Sequence, residues 1–365
     1  MPDAHSSQPR VVHIVPALFG SQGVLGGAER YALELARYMA EVTPTRLLTF
    51  GDRARTERIG NLDVRVVAGA WQVRGQASNP VSSAIVGEVL KANVVHCHQQ
   101  HIAASSLAAM TSRLAGRKVF VTNLGGGGWD ISAYVDTDRW YHGHLHISEY
   151  SRRVLGQQGK PWAHVILGGI DTDKFSPDPG VGRDRSVLFV GRLLPHKGVN
   201  YLVEAMPPDI PLNIIGQRMD EHYLSDLQKL AAGKQVAFHH DASDADIVPA
   251  YRGALCVVLP SVYRNVYGGE TTVPELLGQT LLEGMSCGTP GICTDVASMT
   301  EIVEDGRSGF IVPPNDPSAI CRKVVWLRDH PAEAAQMGMA ARQRVLDKFT
   351  WPVVVRRCLE VYSRS

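Results

Sequence analysis

Short apolar runs alternate with stretches of helical spacing along most of the chain. Val11-Val12-His13-Ile14-Val15-Pro16 is apolar almost throughout, the pattern of a strand covered on both faces of a parallel sheet. A helix is expected over 28–40. Arg46-Leu47-Leu48-Thr49-Phe50 and Val64-Arg65-Val66-Val67 read as strands, 85–91 as a helix and Asn93-Val94-Val95-His96-Cys97-His98 as a strand. A helix over 103–114 leads to the strand Val119-Phe120-Val121-Thr122. His144-Leu145-His146-Ile147-Ser148 closes another strand, and Ser148 or Glu149 starts the next helix. Repeated strand–helix units of this length imply α/β, doubly wound parallel sheets.

The pattern then breaks and restarts. The stretch from Pro161 to Asp184 changes character, with Phe175-Ser176-Pro177-Asp178-Pro179-Gly180 rich in turn formers, and is the best boundary. Val187-Leu188-Phe189-Val190 opens the second half, and a helix over 199–205 follows. Further strands are expected at 212–216, 236–238, 256–260, 291–294 and 310–312, and helices at 279–287, 317–329, 331–347 and 351–362. The expected division is 1–168 as a first Rossmann-like domain, 169–184 as linker, 185–347 as a second Rossmann-like domain, and 348–365 as a helix crossing back to the first.

A chain of 365 residues accommodates two such domains. The net charge of +1 implies no nucleic-acid partner. The six cysteines form no CxxC pair and several sit in apolar runs, which suits reduced core residues and a cytoplasmic setting. The segment 1–10 is polar and lacks the apolar core of a signal peptide. No apolar run is long enough to span a bilayer. The charges of the first helix are balanced, so it is a poor membrane anchor.

Candidate chemistry gathers around Val273-Pro274-Glu275-Leu276-Leu277-Gly278-Gln279-Thr280-Leu281-Leu282-Glu283. A helix starting at Gln279 offers free N–H groups and the positive end of its dipole, a place for a diphosphate. Gly278 and Thr280 are small enough for close approach. Glu275 and Glu283 stand on either side, and carboxylates accept hydrogen bonds from neutral hydroxyls. A nucleotide sugar, with ribose on one side of a diphosphate and a hexose on the other, matches this order. Read alone, the pair fits an exposed loop and a solvated helix face equally well. Arg192 and Lys197, in the glycine-bounded loop Gly191-Arg192-Leu193-Leu194-Pro195-His196-Lys197-Gly198, supply cations suited to a diphosphate. In the first half, Gly26-Gly27-Ala28-Glu29-Arg30 ends a glycine-bearing loop and opens a helix, without the dinucleotide fingerprint. His96 and His98 share one strand face; His96 reads as structural, and His98 fits either role. His98, Gln99 and the loop Gly125-Gly126-Gly127-Gly128-Trp129 fall at carboxyl ends of strands, where ligands of such sheets bind.

Taken together these motifs resemble glycosyltransferase family 4, retaining enzymes of the GT-B fold. The resemblance rests on Gly191-Arg192…Lys197-Gly198, on Glu275…Glu283 followed by Gly-Met-Ser-Cys-Gly-Thr-Pro, on Gly26-Gly27-Ala28-Glu29-Arg30, on Val94-Val95-His96-Cys97-His98, and on the segments from Val165 to Phe175 and at Phe349-Thr350-Trp351. It implies that Arg192 and Lys197 neutralise the departing diphosphate and that Gly278, Gln279 and Thr280 donate N–H groups to phosphate and sugar. It also implies that Glu275 binds the donor sugar, Glu283 the ribose, and Gly26 and Gly27 the phosphate from the other domain. His98 matches a family histidine facing the donor sugar. Gln99, Gly125, Gly126, Gly127 and Trp129 are the expected acceptor contacts. No metal or other cofactor is implied beyond the nucleotide-sugar co-substrate, with UDP as the commonest base.

The chain departs from the family pattern in three places. Leu276-Leu277-Gly278-Gln279 replaces glycine-phenylalanine-glycine-leucine, an insert spans Tyr263 to Thr272, and Asn123-Leu124 stands where many relatives carry a histidine. The expected activity is transfer of a hexose or N-acetylhexosamine to a hydroxyl of a small-molecule natural product or saccharide. A growing polysaccharide or lipid-linked glycan is the other acceptor class. A nucleotide-sugar 2-epimerase and a non-catalytic sugar-binding homologue are the competing readings.

Overall fold

The computed structural model describes residues 8–16, 27–125 and 128–365, so Gly26, Gly126 and Gly127 lie outside the described residues. The chain forms two compact units. One comprises Met1–Ile147, Leu155–Gly169 and Trp351–Ser365; the other comprises Ser148–Val154 and Ile170–Thr350.

The first unit is built on strands β1 (Val11–Ile14), β2 (Thr45–Phe50), β3 (Arg55–Ile59), β4 (Leu62–Val67), β7 (Val94–His98), β8 (Lys118–Thr122), β9 (Gly143–His146) and β10 (Ala163–Val165), with a small separate hairpin of β5 (Trp71–Gln72) and β6 (Pro80–Val81). The main sheet runs β10-β9-β8-β7-β1-β2-β4-β3, parallel except for the β3–β4 pair. Alternation sorts the side chains. Val12, Ile14, Leu48, Val95, Cys97, Val119 and Val121 pack on one face with α2 (Ala84–Lys91) and α3 (Ala103–Leu114). On the other face Leu47, Val64 and Val66 pack against α1 (Gly27–Ala40). The edge strand β3 reads Arg-Thr-Glu-Arg-Ile, half-exposed and charged, so no apolar alternation announces it.

The second unit carries β11 (Val187–Val190), β12 (Leu212–Ile215), β13 (Val236–His239), β14 (Cys256–Leu259), β15 (Gly291–Thr294) and β16 (Gly309–Val312) in the order β13-β12-β11-β14-β15-β16. Its helices are α4 (Glu149–Val154), α5 (Val199–Ala205), α6 (Glu221–Leu230), α7 (Asp244–Gly253), α8 (Gln279–Ser286), α9 (Met299–Ile302), α10 (Pro317–Asp329) and α11 (Pro331–Lys348). The expected strands are present, with bounds within a few residues. Helices α6, α7 and α9 go beyond the expected elements; the signals for α6 are the Asp220 cap, which accepts the Tyr223 N–H, and the buried stripe Tyr223, Leu224, Leu227.

The last helix, α12 (Trp351–Arg364), belongs to the first unit. Trp351 is fully buried, its ring lying beside Tyr31 and Tyr38 of α1. A Cβ at Gly169 would lie 2.5 Å from the Trp351 ring, so glycine is what lets chain and indole meet.

Candidate functional site

The second unit brings the phosphate-type motifs together. After β11 the chain makes a single 3₁₀ turn, Pro195–Lys197, and enters α5 through Gly198. Gly198 has φ +66°, and a Cβ there would fall 2.0 Å from the Pro260 carbonyl oxygen. Both the backbone angle and the close approach therefore require glycine. The turn directs Lys197 at the loop before α8, where its ammonium is ion-paired with Glu275 and lies 3.4 Å from the Pro274 carbonyl. The side chain expected at the diphosphate and the one expected at the donor sugar are thus each other's partner, largely shielded from solvent at 12 % and 17 % exposure. Arg192, earlier in the same loop, is exposed. His196, between them, is held below its ordinary pKa by burial first and by Lys197 next, so the loop carries its positive charge on Arg192 and Lys197.

Helix α8 starts at Gln279 because Gly278 takes the left-handed conformation, φ +68°. A Cβ there would meet the Met299 methyl at 2.6 Å. Gly278 donates its N–H to Glu275 Oε1 at 3.3 Å, while Leu281 and Leu282 donate back to the Gly278 carbonyl. The Gly278 N–H expected to face phosphate is therefore already engaged. The N–H groups of Gln279 and Thr280, both half-buried, stand at the head of the helix. The far end of α8 is satisfied by Arg342, which donates to Ser286 O at 2.7 Å and to Phe175 O at 2.8 Å.

Glu283 lies one turn further in. It is 4 % exposed, and its Oε2 accepts from the Tyr251 phenol at 2.8 Å. Tyr251 was not singled out in the sequence; no local signal marks it, since helix packing alone brings it to Glu283.

In the first unit, Gly27 is the first residue of α1. His98 is 2 % exposed and stands among buried rings. His13 on β1 pairs in register with His96 on β7, and His98 follows on the same face. His13 Nδ1 and His98 Nε2 are 2.8 Å apart, and His13 Nε2 is 3.4 Å from the Met39 sulfur. A thioether only accepts, so Nε2 of His13 carries the proton and its Nδ1 accepts from His98 Nε2–H. This leaves the Nδ1 lone pair of His98 buried, with no hydrogen-bond partner among the described residues. His96 is bonded to Thr122 Oγ1 at 2.8 Å and to the Tyr362 hydroxyl at 2.7 Å. These three histidines are the one group of described residues close enough to hold a metal ion. The nitrogens of His13 and His96 are, however, committed to hydrogen bonds. The arrangement is that of a neutral network, and burial lowers the pKa of His13 to about 3. His96 and His98 are also pushed well below their ordinary values, by burial first and neighbouring histidines second.

Gln99, just past β7, is buried at φ +113°, strained for a residue other than glycine. Gly125 is exposed with φ +79°. Trp129 is half-buried under the Arg74 guanidinium, 4.1 Å from the ring centroid, and its carbonyl accepts from Asn79 Nδ2 at 2.7 Å.

Residues 134–344 match the family model described as glycosyl transferases group 1. The chain belongs to the group 1 glycosyl transferases. This group 1 glycosyltransferase is 32 % identical over 238 residues to a GDP-mannose-dependent alpha-(1-6)-phosphatidylinositol monomannoside mannosyltransferase of Mycolicibacterium smegmatis, covering 60 % of this chain and 61 % of that one. It is 31 % identical over 235 residues to the alpha-maltose-1-phosphate synthase of the same organism, covering 55 % and 56 %. The matched stretch thus spans about three-fifths of these relatives' length. Among solved structures, HepE of Anabaena in complex with UDP and glucose superposes with TM-score 0.72 at 18 % identity, over 98 % of this chain and all of that one. Sucrose-phosphate synthase from Thermosynechococcus elongatus gives 0.72 at 18 %, over 98 % and 99 %. The fold is GT-B, two Rossmann-like parallel-sheet units. No helix among the described residues is long and apolar enough to cross a membrane.

Proposed function

We propose that this enzyme moves a hexose or N-acetylhexosamine from a nucleotide sugar to a hydroxyl acceptor with retention of anomeric configuration. The observation that carries this reading is the meeting of Lys197 with Glu275 just before the head of α8, from two separate loops of the second unit, with Arg192 exposed earlier in the Lys197 loop. Two cations and the free N–H groups of Gln279 and Thr280 face the place where negative charge develops as a diphosphate departs. Glu275 turns from Lys197 to the hydroxyls of the donor sugar, and Lys197 turns to phosphate. Glu283 accepts from ribose hydroxyls while Tyr251 holds its second oxygen. The acceptor oxygen attacks the anomeric carbon on the face from which the diphosphate leaves. The departing diphosphate oxygen takes the acceptor's proton, so no separate base is needed. His98 takes no part in the transfer in this reading, because its ring is buried in the histidine network.

UDP is the favoured base, supported by the UDP and UDP-glucose complexes of HepE, which match in fold. A GDP-sugar is the second candidate, because a relative's name specifies GDP-mannose. The acceptor is a small-molecule natural product or saccharide, and a surface glycan is the alternative. Trp129, Gln99 and Gly125 are its proposed contacts. The test is turnover of UDP- and GDP-sugars against panels of both acceptor classes, with the anomeric configuration of the product read by NMR. Inversion would overturn the mechanism. Binding without transfer would favour a sugar-binding homologue, and a 2-epimerised nucleotide sugar the epimerase reading.

A further inference from the structure

The loop that carries Glu275 has no regular secondary structure, so its carbonyls must find partners outside a ladder. They find them in side chains. The Tyr150 phenol donates to Thr272 O, Ser298 Oγ is 3.5 Å from Glu275 O, and Ser148 Oγ donates to Leu276 O at 2.9 Å. Burial and the neighbouring Tyr263 phenol push Tyr150 up to about 12, so it keeps the proton it donates. Ser148 and Tyr150 stand at the start of α4, more than a hundred residues away in sequence. The head of α4 is fixed in turn. The two oxygens of Glu301 accept the N–H groups of Glu149 and Tyr150 at 2.7 and 2.8 Å. Arg344 holds the Glu301 carbonyl at 2.8 Å.

Packing does little to set this loop. Thr272 and Val273 are exposed, Glu275 and Leu276 half-buried, and only Pro274 is buried between 272 and 276. Hydrogen bonds therefore hold its backbone, those from the start of α4 at Thr272 and Leu276 and those of Lys197 and Ser298 at Pro274 and Glu275. Helix α4 itself is six residues long and could not persist alone. Residues 148–154 group with the second unit although the chain on either side belongs to the first.

We infer that Ser148, Tyr150 and Glu301 are positioning residues for the donor sugar: they clamp the carbonyls of Thr272 and Leu276 and so aim the Glu275 carboxylate between them. This rests on the donor reading above, in which Glu275 meets the sugar and not the diphosphate.

The test is calorimetric titration of the full chain with UDP, UDP-glucose, GDP and GDP-mannose. Wild type is compared with Ser148→Ala/Tyr150→Phe, and both are repeated in a Glu275→Gln background. The double variant should bind the nucleoside diphosphate within about twofold of wild type and the nucleotide sugar about three- to tenfold more weakly. That sugar-specific loss should vanish in the Glu275→Gln background, because the clamp acts through Glu275. An equal loss for diphosphate and nucleotide sugar, no loss, or a loss persisting without Glu275 overturns the inference. If the double variant melts early, Tyr150→Phe alone, which keeps the ring, carries the same comparison. Failure of wild type to bind any of the four ligands overturns the donor reading itself, and the clamp's role falls with it.

Discussion

At the scale of single residues, the informative feature is that Lys197 and Glu275 neutralise one another. Neither charge can be removed without leaving the other poorly solvated, so their substitution acts on stability as well as on chemistry. Arg192 is exposed and carries no such double role. Arg192→Ala is therefore expected to reduce kcat/KM by about 10² or more with little change in Tm, measured by initial rates beside thermal unfolding. Retained activity would remove Arg192 from the diphosphate site. Glu275→Gln keeps the shape and removes the charge. It should alter the ranking of donor sugars more than the affinity for nucleoside diphosphate, and an unchanged ranking would place Glu275 away from the sugar. Both residues stand in motifs readable from the chain. The partners Tyr251 and Ser298 do not, since they meet Glu283 and the Glu275 loop only through packing of distant segments.

At the scale of elements, α8 depends on how it begins. Gly278→Ala puts a Cβ at φ +68° and within 2.6 Å of Met299. A cost of about 1–2 kcal/mol is expected for the backbone angle alone, seen as a lower urea midpoint, together with weaker nucleotide binding. Helix α12 makes the complementary case. Trp351→Ala should destabilise by about 3–5 kcal/mol, read from thermal or urea unfolding, because a fully buried indole against Tyr31 and Gly169 is lost. The helices with a clear apolar stripe and a proline or glycine at the end, such as α10, were legible from spacing. The edge strand β3 was not, because half-exposed charged residues form strands only when a neighbour offers a ladder.

At the scale of the whole molecule, the buried histidines couple stability to pH. The folded state holds His13 neutral down to about pH 3, whereas the unfolded chain takes up a proton near its ordinary value of 6.5. Between those values the unfolded state binds more protons, so this contribution is present above pH 6.5 and is lost as pH falls toward 3. His96 and His98 act in the same direction. The Tm should fall between pH 7 and 5, and His13→Asn should flatten that dependence; an unchanged slope would argue against a neutral trio. The alternation of buried strands and amphipathic helices, the restart after the turn-rich segment at 175–180, and the glycine-bounded phosphate motifs were all determined by the sequence itself. They depend on periods, on backbone angles and on residue types, which are local properties. The network of His13 with His98 and of His96 with Tyr362, the burial of Glu283 on Tyr251, the pairing of Lys197 with Glu275 and the hold of α4 on the Glu275 loop were decided only by the tertiary structure. Each joins segments separated in the chain, and hydrogen-bond geometry between them exists only once the sheet of their own unit has formed.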